Sequence, residues 1–400
     1  MATRLGAFVA ITCMICGSFG VVFIPAVTRH VGRLCPDFVC FWSAAELTTR
    51  GISPYDPVAQ GIIQKKYGWE KDRQGAGVLN FLPYYYPPWF VLVFIPLVPL
   101  GMEIAKTVWV IINIQLLLAS GYLMGGLSSM PRPTSLLAAS CFAFSLFAIP
   151  LGQTSIVVLF LIVVLWGQLR SGWDVGAGFI LACALVKPQV TLVLVGLALV
   201  RASQLGRWRI VWSFALTMAL LLLATALLNP RLLLQFVLAT RNNPPPTEYF
   251  PWLGTSWLAL LKSCRLQPAW IWGLHAAAAL AVALVLHREI KHGRRWDDLL
   301  AVSLLAPYFL FPYCRGYDFP TLLPVVLLLE QRRKFPSLIF YTIFPYIHIY
   351  FLGRGILPWL PNMPAQEVTL IWVPVTLAFL WFSQTRDDQP GLFQRGTPGR

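Results

Sequence analysis

A few positions in this 400-residue chain combine side chains able to do chemistry with surroundings that make them conspicuous. Asp37 follows Pro36 and heads a stretch in which Phe38, Phe41, Trp42 and Ala45 recur at helical spacing. A carboxylate there either takes a proton from a bound hydroxyl or caps the helix, a role contributing about 1 kcal/mol. Lys187 lies near the middle of an apolar run, where a charge costs about 2.5–3.5 kcal/mol on insertion scales. It is either a cation in a water-filled cavity beneath an anionic group or one half of a buried pair with a carboxylate elsewhere. Arg315 and Asp318 flank Tyr317. A guanidinium there can hold a phosphate or a hydroxyl, the alternative being a rim ion pair between Arg315 and Asp318 that contributes little. Gln153, after Gly152, either hydrogen-bonds a ligand or joins two helices.

Other polar residues have ordinary explanations. Glu46 stands four residues before Arg50, the spacing of a helical ion pair. Asp56 within Pro54-Tyr55-Asp56-Pro57 is a turn-former. The histidines show no ligand spacing, and no Asp-x-Asp pair is present to hold a divalent ion, so no metal and no cofactor is expected. Cys13 and Cys16 form a CxxC inside an apolar run with no second pair, poor evidence for metal. Cys35 and Cys40 either stay free or form a bridge.

The elements that must position these residues follow from composition. Hydrophobic residues make up 57% of the chain and charged residues 12%, too little polar surface to coat a globule in water. Continuous apolar runs, such as Leu216 to Leu228, recur without the alternation of barrel strands, so the expected fold is an all-α polytopic membrane protein. About twelve crossings are expected, near 5–27, 86–100, 103–126, 134–149, 153–169, 174–200, 208–228, 268–287, 297–312, 318–330, 336–352 and 366–383. Together they form one membrane domain over residues 1–384, followed by a short basic tail at 385–400. The first run is read as an uncleaved anchor rather than a signal peptide.

The net charge of +15 suggests nucleic acid only until its placement is considered. Arg201, Arg207 and Arg209, then Arg288, Lys291, Arg294 and Arg295, then Arg332, Arg333 and Lys334 fall between apolar runs. With twelve crossings they share one side with Arg4 and the tail, and the positive-inside rule makes that side cytoplasmic. Both termini are then cytoplasmic, the protein sits in the cell membrane, and two long connections, about 28–88 and 229–267, face outward. The first is expected to hold an amphipathic helix at the membrane surface, its aromatic side among headgroups. It re-enters the membrane at Tyr84-Tyr85-Tyr86-Pro87-Pro88-Trp89, which fits an interfacial belt. The second contains Asn242-Asn243-Pro244-Pro245-Pro246, which cannot be helical.

The string Asp37-Phe38, Phe41-Trp42, Ala44-Ala45, Gly51, Pro54-Tyr55-Asp56-Pro57, then Tyr86-Pro87-Pro88, resembles the opening of glycosyltransferase family 87. Gly152-Gln153, Lys187-Pro188 and Tyr317-Asp318 extend the resemblance over about residues 37–330. It implies GT-C architecture and a polyprenyl-phosphate-linked sugar as donor, similar to the mannosyltransferases of mycobacterial glycolipid synthesis. It further implies a membrane glycan or glycolipid as acceptor and chemistry outside the membrane. It places a catalytic Asp in the first external loop, which points to Asp37.

Such a reaction needs a carboxylate base near the acceptor hydroxyl and cations near the departing lipid phosphate. No protonating acid is required, because the leaving group is already a phosphate. Under this reading Asp37 is the base of one inverting displacement. Lys187, Arg315, Gln153, Tyr317, Asp318 and Tyr86 surround the donor's phosphate and sugar. Mannose is the first expectation for the sugar and arabinose the second. The competing reading is a transporter or flippase of lipid-linked sugars, whose usual mark is an internal repeat; none is clear between the halves.

Overall fold

The structure is a computed structural model that describes residues 35–67, 82–242, 254–291, 295–332, 336–353 and 368–387. The expected anchor at 5–27 and most of the basic tail lie outside these residues, as does the Pro244–Pro246 run. Every regular element among the described residues is helical. In chain order they are α1 (Pro36–Thr49), α2 (Pro57–Lys66), two 3-10 helices (Pro88–Val93 and Ile95–Leu100), α3 (Met102–Leu127), α4 (Arg132–Cys141), α5 (Ala143–Leu151), α6 (Ser155–Ser171), α7 (Asp174–Ala184), α8 (Pro188–Gln204), α9 (Trp208–Leu228), α10 (Leu232–Asn242), α11 (Trp257–Ser263), α12 (Pro268–Lys291), α13 (Trp296–Leu305), α14 (Pro307–Leu310), a 3-10 helix (Gly316–Leu322), α15 (Leu323–Gln331), α16 (Ser337–Gly353), a 3-10 turn (Val368–Ile371) and α17 (Trp372–Asp387).

Three helices, α3, α9 and α12, are long and apolar enough to cross a bilayer, and α4 with α5 makes a fourth candidate bent by 54°. Further apolar helices are shorter, among them α6, α7, α8 and α10. On α9 the side chains of Leu216, Leu220, Leu223 and Leu227 are each more than half exposed. Such a surface is stable when its solvent is hydrocarbon, and within each helix the backbone satisfies itself. These apolar helices make the chain a membrane protein.

Several expected crossings are interrupted, and proline accounts for most of the breaks. The run at 86–100 is not an α-helix. Pro88, Pro96 and Pro99 have no amide to donate, and the segment folds as two 3-10 helices instead. The run at 174–200 divides into α7 and α8, because Pro188 cannot continue a helix and opens the next one at its first position. Lys187 is left at the N-cap of α8, outside the helical ladder. The run at 134–149 bends at Phe142, which adopts extended dihedrals. The connection at 229–267 is partly helical, holding α10 and α11.

The helix in the first connection also departs from expectation. Helix α1 forms where the aromatic spacing places it, but it is not amphipathic: of its fourteen residues only Asp37 and Thr49 escape burial. Its aromatic side meets protein rather than headgroups. Phe38 stacks on Trp109 of α3 with centroids 6.0 Å apart, and Phe41 lies 5.2 Å from Phe94 and 4.9 Å from Tyr86. Aromatic pairs of this kind stabilise by about 0.5–1.5 kcal/mol beyond the area they bury. Tyr84 likewise turns inward and is 2% exposed, while Tyr85, Tyr86 and Trp89 are half-buried. Helix α2 ties the two ends of the connection together: Gln64 donates to the Leu82 carbonyl at 2.8 Å and accepts from its amide at 2.7 Å.

Candidate active site

The site forms where the start of α1 meets the turn between α5 and α6. Cys35, the N-cap of α1, takes the left-handed conformation (φ 58°) and donates its amide to the Pro150 carbonyl at 2.7 Å. Pro36 supplies the first helical residue and Asp37 the second. The N-cap position belongs to Cys35, whose side chain makes no capping bond, and Asp37 is the acidic residue of the first turn. Opposite it, Gly152 ends α5 with φ +74°; a Cβ there would lie 3.0 Å from the Cβ atoms of both Cys35 and Phe38. Only glycine combines that conformation with so close an approach. Trp109 of α3 fixes the turn by donating to the Gly152 carbonyl at 2.9 Å.

The turn delivers Gln153 to Asp37. Gln153 Nε2 donates to Asp37 Oδ2, while Gln153 Oε1 accepts from the Tyr86 hydroxyl at 3.3 Å and from Lys187 Nζ at 3.4 Å. Lys187 in turn donates to Ser155 Oγ at 2.8 Å and forms an ion pair with Asp318 Oδ1. Ser155 donates to the same carboxylate oxygen at 3.2 Å, and the other oxygen of Asp318 accepts the Arg315 amide at 3.0 Å. A continuous polar path thus runs from Asp318 through Lys187 and Gln153 to Asp37.

Lys187 and Asp318 are 1% and 0% exposed, so the lysine's charge is met inside the protein. Asp318 is thus the counter-charge of Lys187, and Arg315 places its guanidinium over the Tyr317 ring at 5.5 Å; with Asp37, Tyr86, Tyr313 and Tyr317 it is half-buried, and these residues form the partly exposed edge, or opening, of the cluster. The stretch carrying Arg315 is braced from behind. Thr255 donates its amide to the Cys314 carbonyl at 2.7 Å and Ser256 its hydroxyl to the Pro312 carbonyl at 2.9 Å. Tyr86, Tyr313 and Tyr317 are half-buried around the same opening as Asp37, with the hydroxyls of Tyr313 and Tyr317 3.1 Å apart.

Burial raises the Asp37 carboxyl from its usual range to about 6; the Gln153 hydrogen bond and the charges of Arg315 and Lys187 oppose that rise without cancelling it. A carboxyl poised there is ionised at neutral pH yet able to accept a proton as a reaction proceeds.

All seven residues singled out in the sequence, Asp37, Tyr86, Gln153, Lys187, Arg315, Tyr317 and Asp318, therefore converge on one region. Sequence reasoning passed over Ser155, Tyr313 and the structural part of Trp109. Ser155 had a weak signal, since Gly152-Gln153-Thr154-Ser155 before an apolar run marks a helix start. Glu46 pairs with Arg50, and Asp56 caps α2 by accepting from the amides of Val58 and Ala59 at 2.9 and 3.1 Å. Cys35 and Cys40 are free thiols aimed at different carbonyls, those of Ile149 and Pro83. Among the described residues no three His, Cys, Asp or Glu side chains gather to hold a metal ion.

Compared with known proteins, the chain matches none of the curated sequences and none of the solved structures. Residues 84–312 match the family model described as Glycosyltransferase family 87. The match begins at the inward-turned Tyr84, contains Gln153, Ser155 and Lys187, and stops just short of Arg315. Spanning more than half of the 400 residues, it shows that this membrane protein with a carboxylate-centred opening belongs to glycosyltransferase family 87.

Proposed function

We propose that this membrane glycosyltransferase moves a sugar from a polyprenyl-phosphate donor to a glycan or glycolipid acceptor at the extracytoplasmic face, with Asp37 as the base. The observation that carries the reading is the isolation of Asp37. It is the one residue in the first three turns of α1 that keeps part of its surface exposed, and the Arg315 charge acts on its carboxyl.

In the reaction the acceptor oxygen bonds to the anomeric carbon as the bond from that carbon to the phosphate oxygen breaks. The acceptor's proton passes to Asp37, and the electron pair of the broken bond leaves with the lipid phosphate. One displacement inverts the anomeric centre. Arg315 suits the developing phosphate charge, because its planar fork offers paired donors. Lys187 is already neutralised by Asp318 and contributes by holding the site together. The tyrosines around the opening offer ring faces and hydroxyls to a sugar. Mannose is the first choice for that sugar and arabinose the second, both resting on the family resemblance.

The purified protein in detergent, incubated with labelled polyprenyl-phosphate mannose or arabinose and a panel of glycan acceptors, tests the reading. Asp37→Asn keeps the shape but cannot take a proton, and its turnover is expected to fall at least about a hundredfold. Full turnover by Asp37→Asn would remove the base from this mechanism.

A further inference from the structure

The polar path behind Asp37 has a property that its individual bonds do not. A glutamine amide presents an acceptor on one edge and donors on the other, and either edge can face a neighbour unless the surroundings choose. Here they choose. The Lys187 ammonium can only donate, so it requires Oε1; at 3.4 Å it faces that atom. The Tyr86 hydroxyl, itself accepting from Thr154 at 3.4 Å, donates to the same oxygen. The Asp37 carboxylate can only accept, so it requires Nε2. The reverse orientation would set an acceptor against a carboxylate and donors against an ammonium at once.

We propose that Gln153 is a positioning residue for the base: locked by Lys187 and Tyr86, its amide turns donors toward Asp37, keeping that carboxylate ionised and aimed at the opening. The Lys187–Asp318 pair is the anchor of the lock. Lys187 cannot swing to Asp37, because Asp318 and Ser155 hold it on the far side of the amide. The arrangement answers a conflict in the site, since the burial that shields the reaction from water also favours the protonated acid. The charges of Arg315 and Lys187 favour the ionised form, yet the carboxyl still stands at about 6, and Lys187 has Asp318 as its closer counter-charge.

The groups around Asp37 from each packed element are few. They are Cys35 and Cys40 at either side on its own segment, Tyr86 before the first 3-10 helix, Gln153 in the α5–α6 turn, Lys187 at the head of α8, and Arg315 and Tyr317 at the start of the 3-10 helix Gly316–Leu322. Burial holds the Cys35 thiol up at about 12, so it carries no charge near neutrality. Among these neighbours, Gln153 donates its hydrogen bond to Asp37 through an uncharged side chain that substitution can alter without adding or removing a charge.

The inference rests on Asp37 being the base, and its test is read without turnover. Dicyclohexylcarbodiimide adds to a protonated carboxyl, so labelling of Asp37 in the purified full-length protein, quantified by peptide mass spectrometry against pH, reports its protonation directly. The wild-type midpoint is expected near 6. Gln153→Met keeps the length but has no N–H, and its midpoint is expected to rise by roughly one pH unit. Gln153→Glu keeps the shape and still accepts from Lys187 and Tyr86 but sets a carboxylate against Asp37, and its midpoint is expected to rise further. A residue that merely fills space gives no such order, and midpoints for both variants within about 0.3 unit of wild type overturn the inference. If the midpoints move in order while Asp37→Asn still transfers sugar, the base reading fails and with it the positioning of a base, leaving only the control of Asp37 ionisation by Gln153. If they stay put while Asp37→Asn is dead, the reverse holds.

Discussion

Lys187 and Asp318 form an ion pair from which water is almost wholly excluded, joining the break between α7 and α8 to the 3-10 helix that precedes α15. Breaking such a pair from one side leaves a charge with no counter-charge in a dry interior, at a cost of about 3–5 kcal/mol. Lys187→Met and Asp318→Asn are each expected to lower the thermal unfolding midpoint sharply in detergent. The double variant, which leaves no buried charge, is expected to recover a large part of the loss. A loss in the double variant equal to the sum of the two single losses would show that the charges do not depend on each other.

Asp37 shapes stability in the opposite sense. Its carboxyl is raised from 3.8 to about 6 in the folded protein, so between those values the folded state binds more proton than the unfolded one. Stability therefore falls as pH rises through that window and is level above it. Asp37→Asn removes the penalty. It is expected to melt higher than wild type at pH 7, with the difference shrinking toward pH 4 in paired thermal scans.

Under the proposed mechanism the same carboxyl sets the acid limb of the reaction. A base must be ionised to accept a proton, so kcat/KM is expected to be flat above about pH 6 and to fall tenfold per unit below it. A pH–rate profile in detergent measures this, and a limb centred near 4 would mean that burial does not raise the Asp37 carboxyl in the working protein.

Gly152→Ala combines a left-handed backbone with contacts of 3.0 Å to Cys35 and Phe38. Strain of this kind costs about 1–3 kcal/mol and pushes Gln153 away from Asp37. Activity is expected to drop more than about tenfold, since small misplacements of catalytic groups are costly. Gly126→Ala, with open space at its Cβ, is the control and is expected to behave as wild type.

The thiols give a simpler check. Cys35 and Cys40 are buried and point apart. Maleimide is expected to label neither in the folded protein and both after denaturation without reductant. A non-reducing mass spectrum two protons lighter would reveal a bridge instead.

Much of the site was legible because its chemistry is expensive. A lysine in an apolar run demands an explanation, and for Lys187 a buried pair with a distant carboxylate was one of the two readings the sequence left open. Asp37 stood out by its place before an aromatic repeat. The sequence did not reveal which acid would meet the lysine: Asp318 looked like a partner for Arg315, three residues away, because local spacing is visible and long-range approach is not. Helix α1 was found at the right residues but given the wrong surroundings, since Phe38, Phe41 and Trp42 suit a headgroup region and a protein interior equally well. Its small polar residues Ser43 and Thr48 are buried too, and Thr48 satisfies its hydroxyl on the Ala44 carbonyl at 2.8 Å, a bond that no face-counting anticipates. The proline-rich run at 86–100 had the hydropathy of a crossing but not the amides of one.

The separation of Lys187 from Asp318 along the chain also bears on biogenesis. A ribosome makes the lysine well before the aspartate, so for an interval the nascent chain must carry a lone ammonium in or beside the bilayer, at about 2.5–3.5 kcal/mol if it sits at mid-depth. A polypeptide that stops before residue 318 keeps that debt permanently. Truncated or stalled chains would thus keep an unanswered positive charge where the finished molecule holds a neutral pair.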